Sequence, residues 1–462
     1  MDAPIPGSDV GPLTAGLDIG TTSVKGVAVD GDGAIVARIR IPHRVLVPAP
    51  ELLEHDADAA WRRGPRRALA GLGSGLGSGA GSGAVTAVAV SAMVPSLTAV
   101  DSRGRPISPG LLYGDARGRT SQAGLGPGSD GEAVEFLRWS AQAAPEAHGY
   151  WSAPAVASRA LGGAPVVDFA VAFTTSPLFG KSGWDPDICS SCGVETTQLP
   201  GVEMMGVPIG RLGGDGPLLA TGSVDAMCEQ LVSGADEEGD VHVLCGTTLI
   251  TWAVVSVARQ VPGLWTIPHT LPGRHLVGGA SNAGGMFLSW VKATFGRPRQ
   301  GEVLNPGNIP VWLPYLRGER TPLHLPGIRG TLSGLDLTHG PGAIQRAAWE
   351  ASGFVVRHLL DLAGVQTGRI VATGGGTRVA GWMQSLADAT GLPVHVAAVP
   401  EGAAQGAAFL ARMAAGMETN MLDASRWART SHIVEPDPVW ARPTMDRYLQ
   451  FRELTASAAR PA

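Results

Sequence analysis

The chain has 462 residues, among them 65 glycines and 35 prolines, a share that stays below the roughly 25–30% at which low complexity becomes the better reading. Hydrophobic residues make up 44%, which at this length supports a large core in about two or three domains and excludes disorder of the whole chain. Only 16% is charged, and 35 basic against 40 acidic residues leave a formal charge of −5, so nothing in the balance points to nucleic acid or an anionic membrane.

The N-terminal MDAPIPGSDV has neither a basic start nor an apolar run, so no secretory signal is expected and a cytoplasmic location is. The longest apolar stretch, Val241 to Ala258, is broken by His242, Gly246, Thr247 and Thr248, and reads as two buried strands around a turn, not as a membrane span. Cys189 and Cys192 form one isolated CxxC with no second pair to complete a zinc site, so no metal or redox role is expected there.

The first patterned segment, LTAGLDIGTTSVKGVAVDGDGAIVA, predicts a strand, a Gly-Thr-Thr turn, a second strand, a Gly-Asp-Gly turn and a third strand. A helix is expected from Asp56 to Leu72, with Trp61 and Leu69 on its apolar side. Residues 71 to 84, GLGSGLGSGAGSGA, read as a flexible surface connector. The strand AVTAVAVSAM, a hairpin at VDSRGRPIS and the loop LLYGDARGR come next, then a less regular region over residues 124 to 200 flanked by helical pattern. A long amphipathic helix is expected over 342–363, with Ile344, Ala347, Ala348, Ala351, Phe354, Val355 and Leu359 on one side. RIVATGGGTRVAGWMQSLADATGLPVHV reads as strand, glycine loop, helix and strand.

At residue 241 the opening pattern returns. VHVLCGTTLITWAVVS repeats the strand, Gly-Thr-Thr turn and strand of the N-terminus, which predicts two related halves. Gly20, Thr21 and Thr22 align with Gly246, Thr247 and Thr248, while Asp18 faces Leu244, so only the first half carries the acid. Two such turns, each with backbone N–H groups and hydroxyls, suit a polyphosphate, although a lone Gly-Thr-Thr is as a rule a plain hairpin turn. Asp18, two residues ahead of its glycine, is a candidate Mg²⁺ ligand, acting through water, since Mg²⁺ dehydrates reluctantly. Gly374, Gly375 and Gly376 sit where a strand hands over to a helix: either a ligand approaches the backbone there, or the helix entry is closely packed.

Taken together these motifs resemble the FGGY family of carbohydrate kinases, within the actin, hexokinase and Hsp70 type of ATPase fold. The resemblance runs from about Leu13 to Arg452 and rests on ordered segments: LDIGTTSVKG and LCGTTLI as the two phosphate motifs, TGSVDAMCEQLVSGA around the catalytic aspartate, GERTPLHLPGIRGTLSGLDLTH, VATGGGTRVAGWMQSLADATGLPV as the adenosine motif, EGAAQGAAFLA as the helix after it, and DRYLQFREL as the terminal helix. It implies an α/β fold of two actin-like (ribonuclease H-like) domains, each a mixed sheet flanked by helices, with an interdomain cleft. It divides the chain into residues 13–236 (sugar side, first phosphate motif, catalytic Asp), 240–416 (second phosphate and adenosine motifs) and a C-terminal extension, 417–462.

The resemblance further implies ATP and Mg²⁺ as cofactors, and transfer of the γ-phosphoryl group to a hydroxyl of a sugar, polyol or related small molecule. Asp225 would be the general base, against the plainer reading of a helix N-cap. Gly20, Thr21, Thr22, Lys25, Gly246, Thr247, Thr248, Gly374, Gly375, Gly376 and Arg378 would bind ATP, and Asp18 the metal. Met93, Ser96, Asp115, Arg117 and Asp225 are the expected substrate contacts, with Asp115 and Arg117 equally able to pair with each other. Glu319 and Arg320 either face the cleft or cap a loop. A homodimer is compatible with the resemblance, dimers being common in the family. Nucleic acid and membrane partners are not expected.

Several positions depart from the xylulokinase type. Ser91, Ala92, Met93, Val94 and Pro95 stand where a histidine would meet sugar hydroxyls, Ala226 stands in place of an asparagine after the base, and Leu325 in place of an aspartate. Residues 124 to 131 replace a lysine-containing lead, which suggests a trimmed first domain. A site built to hydrogen-bond a particular hydroxyl rejects analogues lacking it by about 10⁴–10⁵, so these losses argue for a changed substrate. The rival reading is a catalytically silent nucleotide-binding sugar sensor of the same fold. An Hsp70-like ATPase would need an appended peptide-binding domain, for which the residues after Gly416 are too few.

Overall fold

The computed structural model describes residues 11–75, 85–118, 132–299 and 301–460. The stretch from 76 to 84 of the expected connector and the 124–131 segment lie outside these. The chain forms two compact units. The described residues of the first fall within Met1–Gly124, Gly128–Val232 and Glu401–Trp427, and those of the second within Ser233–Pro400 and Ala428–Ala462. By compactness, then, the segment Glu401–Trp427 belongs with the first unit although it comes after most of the second in sequence.

The first unit is built on a six-stranded mixed sheet in the order Pro208–Arg211, Leu218–Val224, Val85–Ala92, Leu13–Ile19, Ser23–Val29, Ile35–Pro42. Leu13–Ile19 runs antiparallel to Ser23–Val29 across the Gly-Thr-Thr turn and parallel to Val85–Ala92, which is in turn parallel to Leu218–Val224. Strands covered on both faces read as continuous apolar runs, and Leu13–Ile19 is buried at every position. Ile35–Pro42, at the sheet edge, alternates half-buried and exposed instead.

The helix expected over 56–72 is a helical turn, Asp58–Arg63, continuing into Gly64–Gly75. It therefore runs through the first five residues of the stretch read as a connector. Leu72 explains the extension: it is 1% exposed and packs in the same apolar cluster as Leu17, Val24 and Trp61, which holds the last turn on the sheet.

The second unit repeats the plan. Its seven-stranded sheet has the order Trp265–Pro268, His275–Ser281, Leu249–Val255, Asp240–Cys245, Arg369–Thr373, Val394–Ala397, Thr430–Val434. Asp240–Cys245 is antiparallel to Leu249–Val255 and parallel to Arg369–Thr373, so the apolar stretch from Val241 is two strands around a turn. The long helix spans Pro341–Ala363, opened by proline in its first turn and closed by Gly364 at φ 60°, and all seven residues expected on its apolar side are buried. No helix among the described residues is long and apolar enough to cross a membrane.

A buried ionic network ties three helices of the second unit together. Glu350 on Pro341–Ala363 accepts from Arg346 Nε at 2.8 Å and from Arg447 Nε and an Arg447 terminal nitrogen at 2.6 and 2.7 Å. Arg346 also reaches Asp388 at 2.6 Å, and Asp388 accepts from Asp437 N at 2.8 Å at the start of helix Pro438–Ala458. With Glu350 only 1% exposed, removing its carboxylate leaves Arg447 buried without its acidic partner and Arg346 with Asp388 alone. Glu350→Ala is therefore expected to cost about 3–5 kcal/mol of unfolding free energy, read from the urea midpoint; a shift under about 1 kcal/mol, the range of a solvated pair, would contradict the network's role.

Candidate active site

Parallel pairing sets the site of the first unit. Leu13–Ile19, Val85–Ala92 and Leu218–Val224 all end at one edge of the sheet, and their carboxyl ends lead into the Gly20 turn, Met93 and Asp225 respectively. In open α/β sheets this edge is where ligands bind. Asp18 sits opposite Lys25 in the antiparallel register and opposite Ser91 in the parallel one. The two side chains of the first pair share a face, and Lys25 Nζ stands 3.5 Å from Asp18 Oδ2. Asp18 is 3% exposed. The Lys25 ammonium is held above its ordinary pKa chiefly by Asp18, with Glu229 and Asp225 adding to the effect against the opposing cost of burial.

The turn itself is closed by Gly20 N donating to Ser23 O at 3.1 Å. Thr21 is half-buried, its hydroxyl 2.9 Å from the Tyr113 hydroxyl, and Thr22 is exposed. Behind the turn, His43 Nε2 lies 3.0 Å from Gly20 O and His55 Nε2 2.8 Å from Thr21 O.

Asp225 is the first residue of helix Asp225–Leu231, and its Oδ1 accepts from Ala226 N at 2.7 Å. It is half-buried. Its carboxyl is raised to about 6, first by burial and then by the Asp18 charge, with the Ala226 N–H and Lys25 pulling the other way. One helical turn on, buried Glu229 accepts from Ala403 N at 2.6 Å and so caps helix Gly402–Ala414. That helix lies against the Asp225 helix so closely that a Cβ on Gly406 would stand 2.0 Å from Cys228 O. Buried Asp168, raised to about 6 by burial, accepts from Ser223 Oγ at 2.7 Å two residues ahead of Asp225.

Of the expected substrate contacts, Met93 is buried in the core of the first unit, and Ser96 Oγ accepts from Ala153 N at 3.1 Å. Ser96 also lines, with Pro95, Phe136, Tyr150 and Trp184, a mostly apolar pocket. Asp115 and Arg117 pair with each other: Asp115 is wholly buried and accepts from Arg117 N and Nε, both at 2.8 Å, while Arg117 also binds Glu54 at 2.9 Å and lies over the Trp139 ring. The carboxylate is thus committed inside the fold.

In the second unit, the Gly246 turn comes after strand Asp240–Cys245 and the Gly374 loop after its parallel neighbour Arg369–Thr373, so both emerge at one sheet edge. Gly246, Thr247 and Thr248 are half-buried. Gly246 O and Thr247 O accept from Gly285 N and Met286 N at 2.9 and 3.0 Å, at the start of helix Gly285–Phe295. The three glycines of the Gly374 loop differ in kind. Gly374 has φ 85°; Gly376 is packed, since a Cβ there would lie 2.2 Å from the Trp382 ring; Gly375 is exposed, with open space where its Cβ would be. Arg378, also exposed, ends the short helical turn Gly375–Arg378. Glu319 is buried and spent on Ser281 Oγ, Asn282 N and Arg320 N, at 2.7, 3.1 and 2.6 Å, as a loop cap is; burial raises its carboxyl to about 7. Cys189 and Cys192 are both buried in an apolar cluster.

His43, His55, Tyr113, Asp168 and Glu229 are neighbours of the site that the motif reading did not include. Asp168 is marked locally only as the cap of helix Phe169–Phe173, and the contacts that bring the five to the site are with residues distant in sequence.

Two α/β units, each with a strand–Gly-Thr-Thr–strand hairpin whose loops gather at the carboxyl ends of its strands, define a class of internally repeated α/β proteins. Models of the FGGY family of carbohydrate kinases match the chain in both halves, the N-terminal domain over residues 13–126 and the C-terminal domain over residues 241–415, and the chain belongs to this family. It is 26% identical to the xylulose kinase of Escherichia coli across 88% of this chain and 91% of that one, and 22% identical to the gluconokinase of Bacillus subtilis across 87% of each. The xylulose kinase structure from Rhodospirillum rubrum superposes with a TM-score of 0.77 at 26% identity, over 96% of this chain and 98% of that one. The gluconate kinase from Lactobacillus acidophilus, 20% identical over 97% and 98%, shares the fold with a TM-score of 0.80.

The approach of Gly406 to the Asp225 helix is testable directly. Gly406→Ala is expected to lower unfolding free energy by about 1–3 kcal/mol through overpacking, measured by denaturant melts. A variant as stable as the parent would show that the two helices have room to part.

Proposed function

We propose that this protein transfers the γ-phosphoryl group of ATP to a hydroxyl of a sugar, polyol or related small molecule, with Asp225 as general base. The observation that supports this most is the placing of Asp225: it starts a helix at the same sheet edge as Asp18 and the Gly20 turn, and burial with a neighbouring carboxylate brings its pKa to about 6. A base poised there is ionised at neutral pH yet still basic enough to accept a proton. The hydroxyl oxygen attacks the γ-phosphorus as its proton passes to an Asp225 carboxylate oxygen. The bond from the γ-phosphorus to the β–γ bridging oxygen breaks, and ADP leaves with the electron pair.

Little covalent help is needed beyond positioning and charge neutralisation. Thr21 and Thr22 with Gly20 in one unit, and Gly246, Thr247 and Thr248 in the other, each offer a turn suited to phosphate oxygens. Lys25 supplies a firmly protonated ammonium beside the first turn. Gly375, the open glycine of its loop, leaves backbone accessible to the nucleotide, with Arg378 three residues on. The donor set fits Mg²⁺ at Asp18: its buried carboxylate is near enough to raise the pKa of Asp225 without taking that group's place as base, and Mg²⁺ is held by one or two carboxylates together with phosphate oxygens and water. Bound there, the ion would neutralise charge on the transferring phosphate.

For the acceptor, the relatives' substrates, xylulose and gluconate, are the first candidates. Ala226, Leu325 and the Met93–Val94–Pro95 run lack the polar groups of the xylulokinase type, which favours a different polyhydroxy compound. The commitment of Asp115 and Arg117 to each other removes a further polar pair from the surface of the first unit.

An ADP-release assay over pentuloses, hexuloses, polyols and aldonic acids identifies the acceptor; silence over the whole panel with ATP still bound would favour the sensor reading. With that acceptor, Asp225→Asn is expected to lower turnover by about 10²–10⁴, and near-parental turnover would sink the assignment. The pH profile offers a separate check. Asp225 is protonated below its raised pKa, so kcat/KM should rise with pH through a midpoint near 6; an acid limb near the ordinary carboxylate value of about 4 would point to another group.

A further inference from the structure

We propose that His43 and His55 are positioning residues for the phosphate turn of the first unit, two imidazole N–H donors that hold the carbonyls of Gly20 and Thr21 from behind and so aim the turn's amides at the nucleotide. This rests on the reading of Gly20–Thr22 as a phosphate site.

The chain itself supplies the comparison. In the second unit the equivalent carbonyls, Gly246 O and Thr247 O, are held by the backbone N–H groups of Gly285 and Met286. In the first unit two side chains make the same two bonds, His43 Nε2 to Gly20 O at 3.0 Å and His55 Nε2 to Thr21 O at 2.8 Å. The third carbonyl, Thr22 O, accepts from His43 N at 3.0 Å. A peptide is planar and trans, so a carbonyl fixed on one side places the next residue's N–H on the other. With Gly20 O and Thr21 O both turned toward the histidines, the N–H groups of Thr21 and Thr22 face away from them.

The protonation state of the clamp is determined by its partners. A carbonyl only accepts, so both Nε2 atoms must carry hydrogen. His55 Nδ1 accepts from Trp61 Nε1 at 3.0 Å, which bars a second proton and locks the neutral Nε2–H tautomer. The rings meet edge to face at 4.5 Å, so one aligns the other. Burial lowers both histidines, His55 to about 4 with His43 contributing, in keeping with neutral rings.

Binding of the Mg²⁺ complex of a non-hydrolysable ATP analogue, measured by calorimetry, tests the clamp without knowledge of the acceptor. His55→Phe keeps ring volume but loses the donor, and is expected to weaken binding about tenfold, the order of one hydrogen bond's net worth. His55→Gln keeps an N–H and should recover most of the affinity, a rescue that loss of packing alone would not show. Nitrogen NMR of the parent should find His55 neutral with hydrogen on Nε2, and Trp61→Phe should release that tautomer and weaken binding in the same direction. Parental affinity in folded His55→Phe, or hydrogen on Nδ1 of His55 in the parent, would overturn the proposal. If His55→Phe does not fold, Trp61→Phe and the parent's tautomer decide. Thr22→Pro, which removes one of the turn's amides, separates this idea from the reading beneath it: weakened binding there with unchanged His55→Phe defeats the clamp alone, whereas no change in either defeats the phosphate assignment of the turn.

Discussion

The parallel pairing of Leu13–Ile19, Val85–Ala92 and Leu218–Val224 is the constraint on which the first unit depends. Three strands running the same way must release their chains at the same edge, so residues from three distant parts of the sequence, around 20, 93 and 225, are gathered there. Register does the finer work. Because side chains alternate along a strand, a slip of one residue in Leu13–Ile19 would turn Asp18 away from both Lys25 and Ser91. The strand is buried throughout, so a slip would also have to bury its charge on the opposite face, and that cost holds the register.

The same burial shapes the electrostatics. Asp18, Asp225 and Glu229 all act on Lys25, and their carboxylates concentrate an excess of negative charge beside that ammonium in a poorly solvated place. Part of that excess is met by backbone: Glu229 takes the N–H of Ala403 at the start of a helix, where the dipole favours an anion, and Asp225 takes that of Ala226. Burial first, and then the charge of Asp18, raises the proton affinity of Asp225. An incoming divalent cation would meet clustered carboxylates, in keeping with the metal role proposed for Asp18.

Much of this was legible in the sequence because it is local. A hairpin is a pattern of a few residues, and its recurrence at 241 shows in the letters; the helix Pro341–Ala363 displays its buried face by periodicity alone. What was not legible is tertiary. Helix Gly402–Ala414 joins the first unit after a long excursion, and only its Gly- and Ala-rich composition hints that it must lie close to something. Asp115 and Arg117 allowed two readings until the burial of Asp115 and its bond to Arg117 Nε showed the pair closed on itself. His43 and His55 lie 23 and 34 residues from the carbonyls they meet, with no spacing rule to connect them. The helical end of the connector, up to Gly75, was missed for a simpler reason: glycine and serine composition outweighed the one leucine that anchors it.

The two halves of the internal repeat show how much freedom such a turn leaves. Both satisfy the first two carbonyls of Gly-Thr-Thr, one with helix amides and the other with imidazoles, so what is common to them is the geometry of the backbone and not the identity of the donor. Specificity for the acceptor has no such protection, because it depends on side chains whose removal leaves the fold intact. Ala226 and Met93 stand beside Asp225 and at the end of a central strand without disturbing either the Asp225 helix or the sheet. Under the proposed function, a chain with this division keeps its two turns while its acceptor side chains are free to change.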